Sequence, residues 1–268
     1  MPELVEVFTM SDKINKKIEN HILEDINIIS GRYTKKLPKN YEKFKKDLPL
    51  KINTITSKGK FIYILLDNGY SIWITLGLTG DLYMKNGDFN RTEYINGVNR
   101  AEIHDRVEFV VSDDRNFYLN DIRNFGTIHF SLNREELDKK LATLGVDPLR
   151  SDFSMKDFIE IYSKKNIQNE IIALALVNQK LIAGIGNYLR AEILYHAKIS
   201  PFRKVKDLSK VEKEEIWKSM NHIVENIYKK DNYIPLVYGQ EKTKNGEIVD
   251  KKNDSKGRTI WYVKSVQI

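Results

Sequence analysis

Apolar and polar positions follow three successive regimes along this chain. A helical repeat opens it and continues through Lys13 to Asn20. From Ile26 to Asp113 the period shortens to that of strands. Phe61 to Leu66 and Tyr70 to Ile74 are β-rich runs joined through Asp67-Asn68-Gly69, a hairpin signal. Val107 to Ser112 and Asn116 to Leu119 read as further short strands. Strands at this spacing predict a β-sandwich or flattened barrel. A charged, mixed stretch from Leu132 to Ser151, carrying Gly145 and Pro148, predicts a short helix and a hinge. Helical periods return from Phe158 to Gly184 and from Leu208 to Lys229. In the latter, Ser209 and Glu212 have capping-box spacing, and Ile216, Met220, Ile223 and Ile227 share one face.

The stretch from Gln179 to Pro201 carries the most specific pattern. An apolar helical run through Ile171, Ile172, Leu174, Ala175 and Leu176 leads to Gly184-Ile185-Gly186-Asn187. The two glycines allow a tight turn with positive φ. A second helix is predicted from Tyr188 to about Ala197, stopped before Pro201. Backbone N–H groups at its start make a ready phosphate site, with the Asn187 amide beside them. An ordinary turn between core helices has the same local pattern.

Composition narrows the partner classes only slightly. The 268 residues are 41% hydrophobic and 30% charged, enough for one large or two ordinary domains. A net charge of +7 suits nucleic acid, an acidic membrane or a plain lysine-rich surface. The absence of cysteine excludes disulfides and thiolate-bound zinc. His21, His104, His129, His196 and His222 show no metal-ligand spacing. No apolar run has the length of a membrane span. Asp12, Lys13, Lys16 and Lys17 precede any apolar region, unlike a signal peptide. The expectation is a soluble intracellular protein without membrane association, metal or organic cofactor.

The opening Met1-Pro2-Glu3-Leu4-Val5-Glu6 admits two readings. Pro2 and Glu3 make a good helix start. Alternatively, removal of Met1 leaves Pro2 with a secondary amine of pKa typically ~8, partly neutral at pH 7 and able to attack a sugar C1′. The adjoining Glu3 carboxyl then serves as acid and base.

Taken together, these strings resemble the formamidopyrimidine-DNA glycosylase/endonuclease VIII (Fpg/Nei) family. Gly184-Ile185-Gly186-Asn187-Tyr188-Leu189-Arg190-Ala191-Glu192 resembles its helix–two-turns–helix motif, in wording most similar to the Nei-like branch. Pro2, Glu3 and Glu6 match the family's opening, with Val5 replacing its second proline. Ser57-Lys58-Gly59-Lys60-Phe61 resembles its lysine-bearing hairpin. Thr75-Leu76-Gly77-Leu78-Thr79-Gly80 and Asp121-Ile122-Arg123-Asn124-Phe125-Gly126-Thr127 resemble two further loops. Val237-Tyr238-Gly239 and the run from Gly257 to Gln267 resemble the ends of its C-terminal zinc finger, without the four cysteines. Val263 and Val266 stand where the last pair would be.

The resemblance implies an α+β fold. An N-terminal helix and β-sandwich domain would span 1–131, a hinge 132–155, a helical helix–two-turns–helix domain 156–236 and a zincless β-hairpin finger 237–268. DNA would lie in the cleft between domains. Within the finger, Gly246 with Glu247 to Val249 and Ile260 to Val263 are expected to pair. The implied activity is a bifunctional DNA glycosylase and abasic-site lyase for oxidised pyrimidines and formamidopyrimidines, ending in β,δ-elimination. Its partner would be double-stranded DNA carrying oxidised bases or abasic sites, met by a monomer. Pro2 would be the nucleophile, Glu3 the proton carrier and Glu6 its support. Lys60, Asn187 and Arg258 would hold phosphates, and Leu78, Arg123 and Phe125 would fill the void left by a flipped base. The rival classes are a non-catalytic binder of damaged or branched DNA and an interaction module in an unrelated assembly.

Overall fold

Leu4–Ile18 form helix α1, with Glu6 in its first turn and Lys16 and Lys17 in its last, charges that complement the helix dipole. Val5, where the family has a rigid proline, is a buried helical residue. The computed structural model describes residues 2–84, 102–149, 152–229 and 233–268. Met1 and its expected removal lie outside the described residues, as do part of the strand region 26–113 and two positions of the 132–155 hinge. The chain divides into two compact units. One comprises Met1–Pro2 and Glu6–Thr143, the other Glu3–Val5 and Leu144–Ile268.

In the first unit α1 is followed by β1 (Ile22–Ile28), α2 (Tyr41–Lys46), β2 (Leu50–Lys58), β3 (Phe61–Leu66), β4 (Ser71–Thr75) and β5 (Gly80–Met84). Next come β6 (Asp105–Val111), β7 (Phe117–Asp121), β8 (Thr127–Ser131) and α3 (Arg134–Ala142). The strands make one antiparallel sheet in the order β5-β7-β6-β1-β2-β3-β4-β8. The ladder register shifts between Leu23 and Asp25, between Ile52 and Thr54, and between Asp105 and Val107. Both halves of the sheet contribute to one apolar cluster. Phe109 and Phe117 come from one half, Ile64, Ile72 and Phe130 from the other, and Val7, Ile14 and Ile18 from α1. Helix α2 was not expected. It is held by the fully buried Phe44, whose ring lies 5.0 Å from that of Phe130. Two aromatics, Tyr41 and Phe44, among charged residues over six positions leave no readable period.

The second unit contains α4 (Met155–Ile161), α5 (Ile172–Leu176), α6 (Asn187–His196), α7 (Lys210–Lys229), β9 (Asp250–Asn253) and β10 (Thr259–Tyr262). Leu4 and Val5 belong to its core with Phe158, Leu176, Leu189, Ile193, Ile216 and Met220. The capping box of α7 is formed: Ser209 N–H donates to Glu212 at 2.8 Å and Glu212 N–H to Ser209 Oγ at 3.2 Å. The C-terminal hairpin uses a different strand from the expected one. Thr259–Tyr262 pair with Asp250–Asn253, whereas Glu247–Val249 precede that strand. Gly246, at φ 85°, turns a separate small loop closed by the Lys242–Ile248 bridge. The polar Asp-Lys-Lys-Asn strand lacks the apolar alternation that marks a half-buried strand, so sequence reading preferred its apolar neighbour. Among the described residues no helix is long and apolar enough to cross a membrane.

Candidate active site

Glu3 follows Pro2 directly, and both are buried. Its carboxylate sits at the start of α6. Oε2 accepts from Gly186 N–H at 2.6 Å and Leu189 N–H at 3.2 Å, and Oε1 from Tyr188 N–H at 3.0 Å. Leu4 N–H donates to Gly184 O at 3.2 Å and fixes the approach. The cradle expected to be open for phosphate is therefore filled by the chain's own carboxylate. The reason is the same: unsatisfied N–H groups and the helix dipole favour an anion. Of the two glycines, only Gly184 takes positive φ, at 103°; Gly186 caps the helix with φ −121°.

A second network surrounds Asn187. Its Nδ2 donates to Thr259 O at 2.9 Å, and its Oδ1 accepts from Arg190 Nη2. Arg190 and Asp254 are a buried ion pair, Nη1 to Oδ2 3.2 Å, with side chains 1% and 0% exposed. Burial lowers the Arg190 pKa, and Asp254 opposes the shift. The Asp254 pKa is lowered although burial pushes it up, because main-chain N–H groups of Arg258 and Lys256 and the Arg190 guanidinium outweigh desolvation. Arg258 Nε lies 3.4 Å from Asp254 Oδ2 with its side chain 42% exposed. Asn187 and Arg258 are thus brought to one cluster. Arg190 and Asp254 were not anticipated as its members. The available signal was a pair of charges, Arg190 and Glu192, set among the apolar residues Tyr188, Leu189, Ala191, Ile193 and Leu194 of a ten-residue helix. Glu192, fully buried, accepts from Leu236, Val237 and Tyr238 N–H at 2.7, 3.0 and 2.9 Å and from Tyr233 Oη at 2.9 Å. Burial, then this carboxylate, pushes the Tyr233 phenol pKa up.

The remaining expected residues lie in the first unit. Glu6 is half-buried on α1. Lys60, also half-buried, is the second residue of the β2–β3 turn, after Gly59 at φ 59°. Leu78 is half-buried in the β4–β5 turn. That turn and the loop bearing Arg123 and Phe125 are tied together. Thr79 Oγ1 donates to Asp121 Oδ1 at 2.6 Å and accepts from Arg123 N–H at 3.1 Å. A Cβ on Gly77 would stand 2.9 Å from Gly126 N and from Phe125 C, so only glycine permits this approach. Asp121 Oδ2 accepts from Gly126 N–H at 2.6 Å, and Arg106 Nε donates to Asp121 O at 2.8 Å. At the tip the Arg123 guanidinium lies 5.2 Å from the Phe125 ring centre, and Phe125 is 52% exposed.

Among the described residues no three His, Cys, Asp or Glu side chains gather as a metal site. Residues 237–268 contain neither histidine nor cysteine. Val237, Val249 and Val263 are buried in an apolar cluster with Ala191, against which Val266 and Trp261 pack. With no thiolate or imidazole in this segment and aliphatic side chains in its interior, the residues present do not fit a Cys- or His-bound metal.

Comparison with known proteins establishes the family of this chain. Residues 1–128 match the formamidopyrimidine-DNA glycosylase N-terminal domain, and residues 144–234 the formamidopyrimidine-DNA glycosylase H2TH domain. The formamidopyrimidine-DNA glycosylase of Halalkalibacterium halodurans is 33% identical over 218 residues, covering 79% of this chain and 73% of that protein. A solved complex of wild-type Lactococcus lactis Fpg with DNA containing an oxidised pyrimidine superposes with TM-score 0.81 over 99% of both chains at 24% identity, a likeness of fold. The corresponding glycosylase of Wolbachia pipientis subsp. Culex pipiens is 32% identical over 81% of this chain and 74% of its own length. With both domains matched in order and relatives aligned over most of their length, the chain belongs to the formamidopyrimidine-DNA glycosylase family.

Proposed function

We propose that this family member acts on DNA as a bifunctional glycosylase and abasic-site lyase for oxidised pyrimidines and formamidopyrimidines, with Pro2 as nucleophile. The observation that carries the reading is the Glu3 carboxylate, desolvated and held by three main-chain donors one residue after Pro2. The Pro2 amine, free once Met1 is removed, attacks C1′ of the damaged nucleotide. The N-glycosidic bond breaks and the base leaves with the proton lost by the amine; the C1′–O4′ bond then opens, O4′ takes a proton from Glu3, and an iminium joins the proline nitrogen to C1′. Loss of a C2′ proton then expels the 3′ phosphate, and a second elimination expels the 5′ phosphate. Glu3 carries protons in these steps, supported by Glu6.

Lys60, Asn187 and Arg258 hold backbone phosphates, which positions DNA without reading its sequence. Leu78, Arg123 and Phe125 fill the space vacated by the base, offsetting an unstacking cost of about a few kcal/mol. The tied loops and the exposed Arg123–Phe125 pair support that assignment. The apolar cluster of Val237, Val249 and Val263 supports a zincless finger of the Nei-like kind.

The test is borohydride trapping on a duplex containing an abasic site. Wild-type protein is expected to form a covalent adduct, and Pro2→Gly or a form retaining Met1 to form much less. Binding without any adduct would leave a damaged-DNA binder as the better reading. Full trapping with Met1 in place would remove Pro2 from the mechanism.

A further inference from the structure

We infer that Arg190 and Asp254 are a positioning pair, holding Asn187 and Arg258 as one preformed phosphate clamp and doing mechanically what a metal would do in seating the finger. The inference rests on the reading of Asn187 and Arg258 as phosphate contacts. It adds the two buried residues that set their geometry.

Arg190 reaches both sides of the clamp with its two terminal nitrogens. Nη2 donates to Asn187 Oδ1 and, at 3.1 Å, to Thr259 O; Nη1 donates to Asp254 Oδ2 at 3.2 Å and Ala173 O at 3.3 Å. Asp254 continues the chain of contacts. Its Oδ1 accepts from Lys256 and Arg258 N–H, each at 2.9 Å, which folds the turn between β9 and β10. Its Oδ2 faces Arg258 Nε at 3.4 Å. One carboxylate therefore fixes both the backbone and the exposed guanidinium of Arg258. One guanidinium fixes the Asn187 amide.

Desolvating this pair opposes folding, and well-packed apolar residues often seat a hairpin as well. Such an apolar cluster already exists beside it. What the ion pair adds is orientation. A planar fork serves several acceptors in fixed directions, which a lysine ammonium does not reproduce. Preset side chains lose less entropy when a phosphate arrives.

The experiment measures binding of the full chain to a duplex carrying a tetrahydrofuran abasic analogue, across a salt series. The variants are Asp254→Asn, Arg258→Ala, their combination, and Arg190→Lys, each checked by thermal melting to be folded at the assay temperature. Arg258→Ala is expected to weaken binding and reduce the slope of log K against log salt by about one. Asp254→Asn should weaken binding about tenfold, and add little in the Arg258→Ala background. This sign is diagnostic, because removing a negative charge near DNA would by itself tighten binding. Arg190→Lys keeps the charge and should lose affinity likewise; it carries the comparison if Asp254→Asn does not fold. Wild-type or tighter binding by Asp254→Asn, or a loss simply additive with that of Arg258→Ala, overturns the positioning pair and leaves the phosphate reading standing. Unfolding of both pair variants would make the pair purely structural and also overturn it. Wild-type affinity and slope for Arg258→Ala overturns the phosphate contact itself, and the inference with it.

Discussion

Helices α6 and α7 pack against each other and are built on opposite principles. In α7 Ile216, Met220, Ile223 and Ile227 are buried on one face, while Val211 near its start is 72% exposed. Ion pairs such as Lys210–Glu214 and Lys229–Glu225 lie within the helix, and Glu212 reaches only as far as Arg203, nine residues away. In α6 every residue from Tyr188 to Leu194 is buried, charges included. Those charges are directed to segments distant in sequence: Arg190 to Asp254 and Thr259, Glu192 to the 233–238 segment, and the helix start to Glu3. Another amphipathic helix with the right apolar face could replace α7. Helix α6 specifies which parts of the chain meet, and the candidate chemistry gathers around it.

The sharpest way to probe this contrast is Glu3→Gln. An amide cannot transfer the proton needed for base release, so thymine glycol excision should fall by at least about 100-fold. Binding of an abasic-analogue duplex should persist. Single-turnover release and equilibrium binding measured together decide it; undiminished release would take Glu3 out of the mechanism.

Met220→Ala on α7 should behave differently. Deleting a fully buried side chain opens a cavity and should cost about 3 kcal/mol of stability, measured by denaturant unfolding. The salt dependence of DNA binding should not move. A changed slope would mean that α7 contributes more than packing.

The smallest expected effect belongs to the cap of α7. Glu212 has its pKa lowered from 4.5 to about 2, first by hydrogen bonding to Arg203 and then, against burial, by the Ser209 N–H. The folded state therefore prefers the carboxylate. Its stabilisation is complete above pH 4.5 and is lost as pH falls towards about 2. Glu212→Gln should cost about 1–2 kcal/mol near neutrality, allowing for solvent screening, and almost nothing near pH 2. A cost independent of pH would mean that packing, rather than charge, sets the contribution.

Local rules made much of the fold legible. Phe61–Leu66 was readable as a strand because apolar residues, mostly β-branched or aromatic, run unbroken to an Asp-Asn-Gly turn, and β3 has those bounds. The α7 cap was readable because Ser209 and Glu212 satisfy each other within one turn. The strand β9 was not, because Asp250–Asn253 is polar and exists only by pairing with Thr259–Tyr262. Nor was α2, whose six residues depend on Phe44 reaching the sheet core.

The sequence by itself determined most of the elements, the order of the motifs and the family, because helix periods, turn glycines and the Pro2-Glu3 opening are local properties. It also determined that thiolates cannot bind a metal in the finger, since no cysteine exists. Only the tertiary structure decided where the buried charges point. It put the Glu3 carboxylate into the N–H cradle of α6, and it joined Arg190 to Asp254 across 64 positions of chain. A charge in a helical pattern looks the same whether it faces water or a partner. Desolvation makes the difference, because a buried charge persists only where folding brings donors or an opposite charge to it.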